Sequence, residues 1–354
     1  MTDALTFHIG DFKTGTTAIQ NWVSQASAKG LGLWSPLADC DALAHSLNDP
    51  TLAPLAFAEL AQKLDGGKGH AVVSSEHFEA VNPFRLRDLI EAFLPRYCKH
   101  LTVLGYVRPH ASSLVSRYSE SLKIGSFSGS LDAYYEWKPT FWRLRSARRF
   151  SKWKDAFGSA FKLRLYDPTN FAGGDIRRDF AQSLTSIDPG PLGQDRQNRS
   201  VSVIDLAYLS ALQSAIGPTV AGSIAERARW QIGRRIAQVI EQGHSLGGPS
   251  LGLHAALAER LWHGYRADAA ELDALYFHDG NLVRSLMRAR EAAQHQHAPI
   301  MEERDWLGPD ARRAAQEWGQ ALGAKLQSED TALEVLSDFS SPRFASPWDM
   351  QKYA

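Results

Sequence analysis

Short apolar runs rich in β-branched residues alternate with helix-period segments through the first half of the chain. The runs are LTFHI at 5–9, HAVVSS at 70–75, LTVLGYV at 101–107 and FKLRLY at 161–166. Apolar residues at helical spacing follow them, at roughly 15–29, 83–96, 109–123 and 173–185. That alternation predicts parallel βαβ units, so the expected class is α/β, a parallel sheet flanked by helices. From about 203 to 335 the pattern is helical throughout. The clearest helices there are AERARWQIGRRIAQVIEQ and AALAERLWHGYRADAAELDALY, separated by GHSLGGPSLG. The expected organisation is an α/β core over 1–205 and a helical extension over 206–354, closing in a loose tail, SSPRFASPWDMQKYA.

Composition narrows the function classes. The 354 residues are 44% hydrophobic and 22% charged, ordinary for a globular chain and far from the disordered regime. Lys plus Arg equals Asp plus Glu at 39 each, so no global field favours nucleic acid or an anionic membrane surface. Any anion site is therefore local. Two cysteines, Cys40 and Cys98, make neither a disulfide framework nor a metal cluster and read as small hydrophobes in a reducing compartment. The N-terminus enters a strand without a signal-peptide pattern, and no run approaches the ~18 apolar residues of a membrane span. A cytoplasmic location is expected.

Ligands of parallel sheets lie beyond the carboxyl ends of the strands, which directs attention to GDFKTGTT, EHFEA and RPH. Gly10 and Gly15 have the spacing of the phosphate-binding template G-x-x-x-x-G-K-[ST], and Thr17 occupies its hydroxyl position. The template's lysine position holds Thr16, whereas Lys13 sits inside the loop. Backbone amides of Thr14, Gly15, Thr16 and Thr17 at a helix N-terminus are expected to cradle an anion. Further on, Arg108 closes the third run and Ser116 follows eight residues later, so both can face one point beyond the sheet.

These two motifs, KTGTT and VRPHASSLVS, resemble the 5'-phosphosulfate and 3'-phosphate loops of the sulfotransferases that use 3'-phosphoadenosine 5'-phosphosulfate (PAPS), in particular their bacterial branch. WKDAFG, YDP, DIRRDFAQSL and NRSVS are weaker echoes, and the resemblance covers roughly residues 1–210. It implies a P-loop-type fold and PAPS as sulfuryl donor, with adenosine 3',5'-bisphosphate as product and no metal required. The implied donor contacts are Lys13, Thr14, Gly15, Thr16, Thr17, Arg108 and Ser116, with Asn198 and Ser200 toward the adenine.

A forked guanidinium plus a hydroxyl suits a dianionic 3'-phosphate. Lys13 suits the leaving phosphate, where negative charge develops. For the base, the resemblance points to a glutamate or histidine at the second strand end, where the sequence offers Glu76 and His77; Glu76 is the first choice. His45, in a segment after the first helix that can cover the site, is the second. Each also has a plainer reading: Glu76 as a helix-start acid, the histidines as solvated side chains, His8 as packed within its strand.

The acceptor is expected to be a small molecule or a glycan, with a hydroxyl favoured over an amine. The aromatic stretch YYEWKPTFWRLRSARRF reads either as an acceptor platform or as packing of a crossover helix. Its arginines, Arg143, Arg145, Arg148 and Arg149, read as partners of an acidic acceptor or as side chains lying along apolar surface. Two other functions fit the same loop. One is a magnesium-dependent phosphotransferase, and the other is a nucleotide-fold binding protein without turnover.

Overall fold

A computed structural model of the chain describes residues 2–184, 201–296 and 306–340, together with Pro189 and Leu192. Asn198, Ser200 and the C-terminal tail lie outside the described residues. The sheet has five strands, all parallel, in the order β2-β3-β1-β4-β5. These are β1 (Thr2–His8), β2 (Leu33–Trp34), β3 (Gly69–Ser74), β4 (Leu101–Val107) and β5 (Phe161–Leu165). Four of them match the apolar runs. The two-residue β2, paired through Leu33 and His70, is too short for any periodicity to announce it.

Period-two alternation in β1 sorts the core into two layers. Leu5, Phe7 and Ile9 join Val73, Val103 and Leu163 in a cluster with Phe57 and Leu60 of α3 (Leu52–Gly66), Leu86 and Ile90 of α4 (Pro83–Phe93), and Phe150 and Trp153 of α8 (Ser146–Phe157). Val72, Leu104 and Tyr106 join the other cluster, with Ile19, Trp22 and Val23 of α1 (Thr16–Ala28) and Phe180 of α9 (Ile176–Leu184). With helices on both faces, every strand is covered, as parallel sheets require.

Two polar pairs are buried across β1 and β3. Thr6 Oγ1 lies 2.7 Å from His70 Nε2, and His8 Nδ1 lies 2.8 Å from Ser74 Oγ. His8 packs edge-on to Tyr106 and Phe180, as its place in the strand suggested. A second latch fixes α9: buried Asp179 accepts from Tyr106 Oη at 2.7 Å and from Arg164 Nε at 2.6 Å.

The described residues fall into two compact units, each discontinuous in sequence. The first, Met1–Ser113, Arg143–Asp195 and Leu261–Arg288, holds the sheet; the second comprises Leu114–Trp142, Arg196–Arg260 and Ala289–Ala354. A single division at residue 205 does not describe them, because the chain returns to the first unit at Leu261. The second unit is helical. Its α10 (Val203–Ile216) carries a capping box between Ser202 and Asp205, and the Asp205 carboxylate also holds the Ser245 hydroxyl and the Leu246 amide. Among the described residues no helix is long and apolar enough to cross a membrane.

Burial depresses two histidines, His70 to about 4 and His8 to about 3. Their neutral forms are favoured in the folded chain, so the unfolded chain binds more protons below its ordinary histidine value of about 6.5. Stability is therefore full above about pH 6.5 and falls on acidification toward those folded values. Lowering the pH from about 7 to about 5 should remove about 2 kcal/mol per histidine, read by urea denaturation; His70→Gln should abolish its share of the slope.

Candidate functional site

Three left-handed residues within six positions shape the loop after β1: Gly10 (φ 56°), Lys13 (φ 66°) and Gly15 (φ 75°). A Cβ at Gly10 would stand 2.9 Å from the Glu76 Cα and 3.1 Å from Thr16 Oγ1, so only glycine lets the loop lie against the turn after β3. A Cβ at Gly15 would stand 3.2 Å from the Tyr166 ring. Lys13, in contrast, is a lysine in a conformation that costs a residue with a Cβ about 1–3 kcal/mol.

Thr14 is fully buried and closes the turn from within. Its Oγ1 accepts from the Asp11 amide at 3.0 Å and donates to the Asp11 carbonyl at 2.5 Å, and its own amide donates to that carbonyl at 3.2 Å. The Thr14 amide is thus engaged, and the cradle reduces to Gly15, Thr16 and Thr17. The Ile19 amide makes the bond to the Gly15 carbonyl, so the amides ahead of it lack intrahelical partners. Gly15 supplies no side-chain cap, and the first turn of α1 holds no acid of its own to offset the positive end of the helix dipole. Thr16 is buried, its Oγ1 without a hydrogen-bond partner; Thr17 is exposed. The inward hydroxyl is therefore Thr16, one residue before the template position.

The β1–β3 register continues one step past the strands, the Ser75 amide donating to the His8 carbonyl at 3.1 Å. This brings Glu76, half-buried at the start of the 3-10 turn Glu76–Ala80, directly against Gly10. Ser75 Oγ accepts from the His77 amide at 3.0 Å and donates to Asp41 Oδ1 at 2.5 Å. Asp41 lies in the first turn of α2 (Cys40–Ser46), and its Oδ2 lies 3.8 Å from His77 Nε2. His45, exposed in the last turn of α2, packs at a tilt against His77 with ring centroids 4.4 Å apart. Phe12 meets His77 edge-on at 5.8 Å. Of the three candidate bases, Glu76 and His77 thus adjoin the loop, and His45 packs against His77.

Arg108, just past β4, lays its guanidinium over the Tyr166 ring at 4.8 Å, the same ring that crowds Gly15. Tyr166 thereby connects Arg108 to the loop, a role its place in YDP did not announce. Ser116 is half-buried on α5 (His110–Lys123) and is counted with the second unit.

The arginines of the RLRSARRF stretch divide. Arg143 lies over the Phe12 ring at 5.3 Å, and Arg145 over Tyr265 at 5.7 Å. Arg149 lies over the Phe150 ring at 4.9 Å and is committed to two carboxylates. Its Nη1 donates to Glu79 Oε1 at 2.7 Å and its Nη2 to Asp11 Oδ2 at 3.2 Å, while Glu79 Oε2 accepts the Phe12 amide at 3.1 Å. Of the aromatic stretch, Tyr134 and Phe150 are buried, whereas Trp137, Phe141 and Trp142 are exposed.

Gly10→Ala should destabilise the fold by about 1–3 kcal/mol through its left-handed backbone and the contact with Glu76, measured by chemical denaturation. The same change at Gly30, also left-handed but with open space around its Cβ, should cost less. No protein-family model, curated protein or solved structure matches this chain.

Proposed function

We propose that the chain is a sulfotransferase, moving a sulfuryl group from PAPS to a hydroxyl, or less readily an amine, of a carbohydrate, lipid or small-molecule acceptor. The observation that carries this reading is the loop itself. Lys13 projects from inside a turn whose helix end has no cap and no acid, and Arg108 adjoins the same loop through Tyr166. The resemblance of KTGTT and VRPHASSLVS to the donor loops of PAPS-dependent sulfotransferases points the same way.

In this reading the amides of Gly15, Thr16 and Thr17 and the buried Thr16 hydroxyl hold the 5'-phosphosulfate, and Arg108 holds the 3'-phosphate. Glu76 takes the proton of the acceptor hydroxyl. The acceptor oxygen forms its bond to sulfur as the bond from sulfur to the bridging oxygen breaks, and that electron pair passes to the 5'-phosphate. Lys13 stabilises the charge appearing on the leaving oxygen. Glu76 suits the base role best, because its Cα touches the loop at Gly10; His77 and His45 stand one and two side chains farther along the same wall.

Calorimetric titration tests the donor site. Adenosine 3',5'-bisphosphate should bind without magnesium, and Arg108→Ala should weaken it about 10- to 100-fold, the loss of a charge-assisted contact. Preference for magnesium-ATP, indifferent to Arg108, would instead assign the chain to the phosphotransferases. Good bisphosphate binding with no transfer to any of a broad acceptor panel would favour a binding protein. Lys13→Met should lower turnover about 10²- to 10³-fold while donor affinity changes far less; equal losses in both would remove Lys13 from the transition state.

A further inference from the structure

We infer that Arg149 is the positioning residue of the anion loop: it neutralises two carboxylates buried behind the loop and so makes the site receptive to a phosphate or sulfate group. The inference rests on the reading above only in that the loop binds an anion. Asp11 and Glu79 are both almost wholly buried, with side chains 2% and 6% exposed, and both stand immediately behind the residues that would face the ligand. Asp11 Oδ1 and Glu79 Oε2 share the Phe12 amide, at 3.0 and 3.1 Å, which fixes the backbone leading into Lys13. Two buried anions there oppose the very ligand the helix end attracts. One guanidinium, forked between them, cancels that opposition.

Its own position is set independently. Asp268 accepts the Ser146 amide at 3.1 Å and the Ala147 amide at 3.2 Å, capping the start of α8, and Arg149 Nη2 also donates to Ser146 Oγ at 3.3 Å. His110 Nε2 lies 2.9 Å from the same Asp268. The clamp therefore ties together three segments far apart in sequence: the loop after β1, the turn after β3 and α8. Because Glu79 shares its turn with Glu76, the clamp also fixes the spacing between Lys13 and the proposed base.

The test uses the whole chain, with inorganic pyrophosphate and adenosine 3',5'-bisphosphate as separate probes, titrated at about pH 7.5 and about pH 5.5, above and nearer the carboxylate range. Other charged groups around the loop are Lys13, Asp41, His45, Glu76, His77 and Arg143, present in wild type and variant alike. The ratio of affinities is accordingly the readout. Arg149→Met should weaken binding of both probes about tenfold or more at the higher pH, and the deficit should shrink at the lower pH as Asp11 and Glu79 take up protons.

Adding Asp11→Asn and Glu79→Gln to Arg149→Met should restore affinity, and Arg149→Lys, which keeps the charge but loses the fork between the two carboxylates, should recover only part of it. A variant that binds as wild type does, or a loss that is independent of pH and unrescued by the amides, overturns the inference. Wild-type binding of pyrophosphate but not of the bisphosphate would overturn the sulfotransferase reading, while the variants still decide the clamp. Binding of neither probe by the wild type overturns both.

Discussion

The contact between Gly10 and the Glu76 backbone is the constraint on which the rest of the site depends. Two neighbouring parallel strands end at the same level because β1 and β3 stay in register to His8 and Ser74. Beyond that level the chains turn in different ways, one into the glycine-bent loop and one into a 3-10 turn, and a missing side chain lets them touch. The proposed donor site and the proposed base are thereby assembled from adjacent strand ends, with no long-range movement needed to bring them together. Parallel sheets offer this arrangement wherever two strands end beside one another at the edge of a crevice.

Electrostatics then decides what that junction can hold. The helix end is positive, uncapped and without an acid in its first turn, while carboxylates crowd its back and flank: Asp11, Glu76, Glu79 and, through Ser75, Asp41. With these carboxylates beside it the helix end is receptive to an anion only where they are compensated, and Arg149 bonds two of them, Asp11 and Glu79. Tyr166 adds a different kind of support, a flat surface shared by Gly15 and Arg108. The site is thus held by a salt-bridged clamp on one side and an aromatic brace on the other.

Much of this was legible in the sequence, for physical reasons. The four longer strands bury apolar residues in short runs or in alternation, and Gly10, Lys13 and Gly15 mark positions where backbone angle and charge matter together. Arg108 could be found because it ends a strand. Arg149 could not, since its partners stand 138 and 70 residues away and no spacing rule relates them. Nor could the engaged amide of Thr14, which depends on its side chain folding back on Asp11. The division of the chain was hidden for a similar reason: the stretch Leu261–Arg288 has the same helical period as its neighbours but belongs with the sheet, where Ala269, Leu272 and Leu282 join the core.

The backbone angle of Lys13 carries an evolutionary consequence. A glycine or asparagine would occupy that left-handed position with less strain, so the backbone angle alone gives no reason to keep a lysine there. Random substitution acting on a chain relieved of its function would drift toward those residues at little or no loss of stability. Position 13 therefore acts as a record of use: among descendants of this chain, lysine should persist where the loop still works on its ligand and disappear early where it has fallen idle.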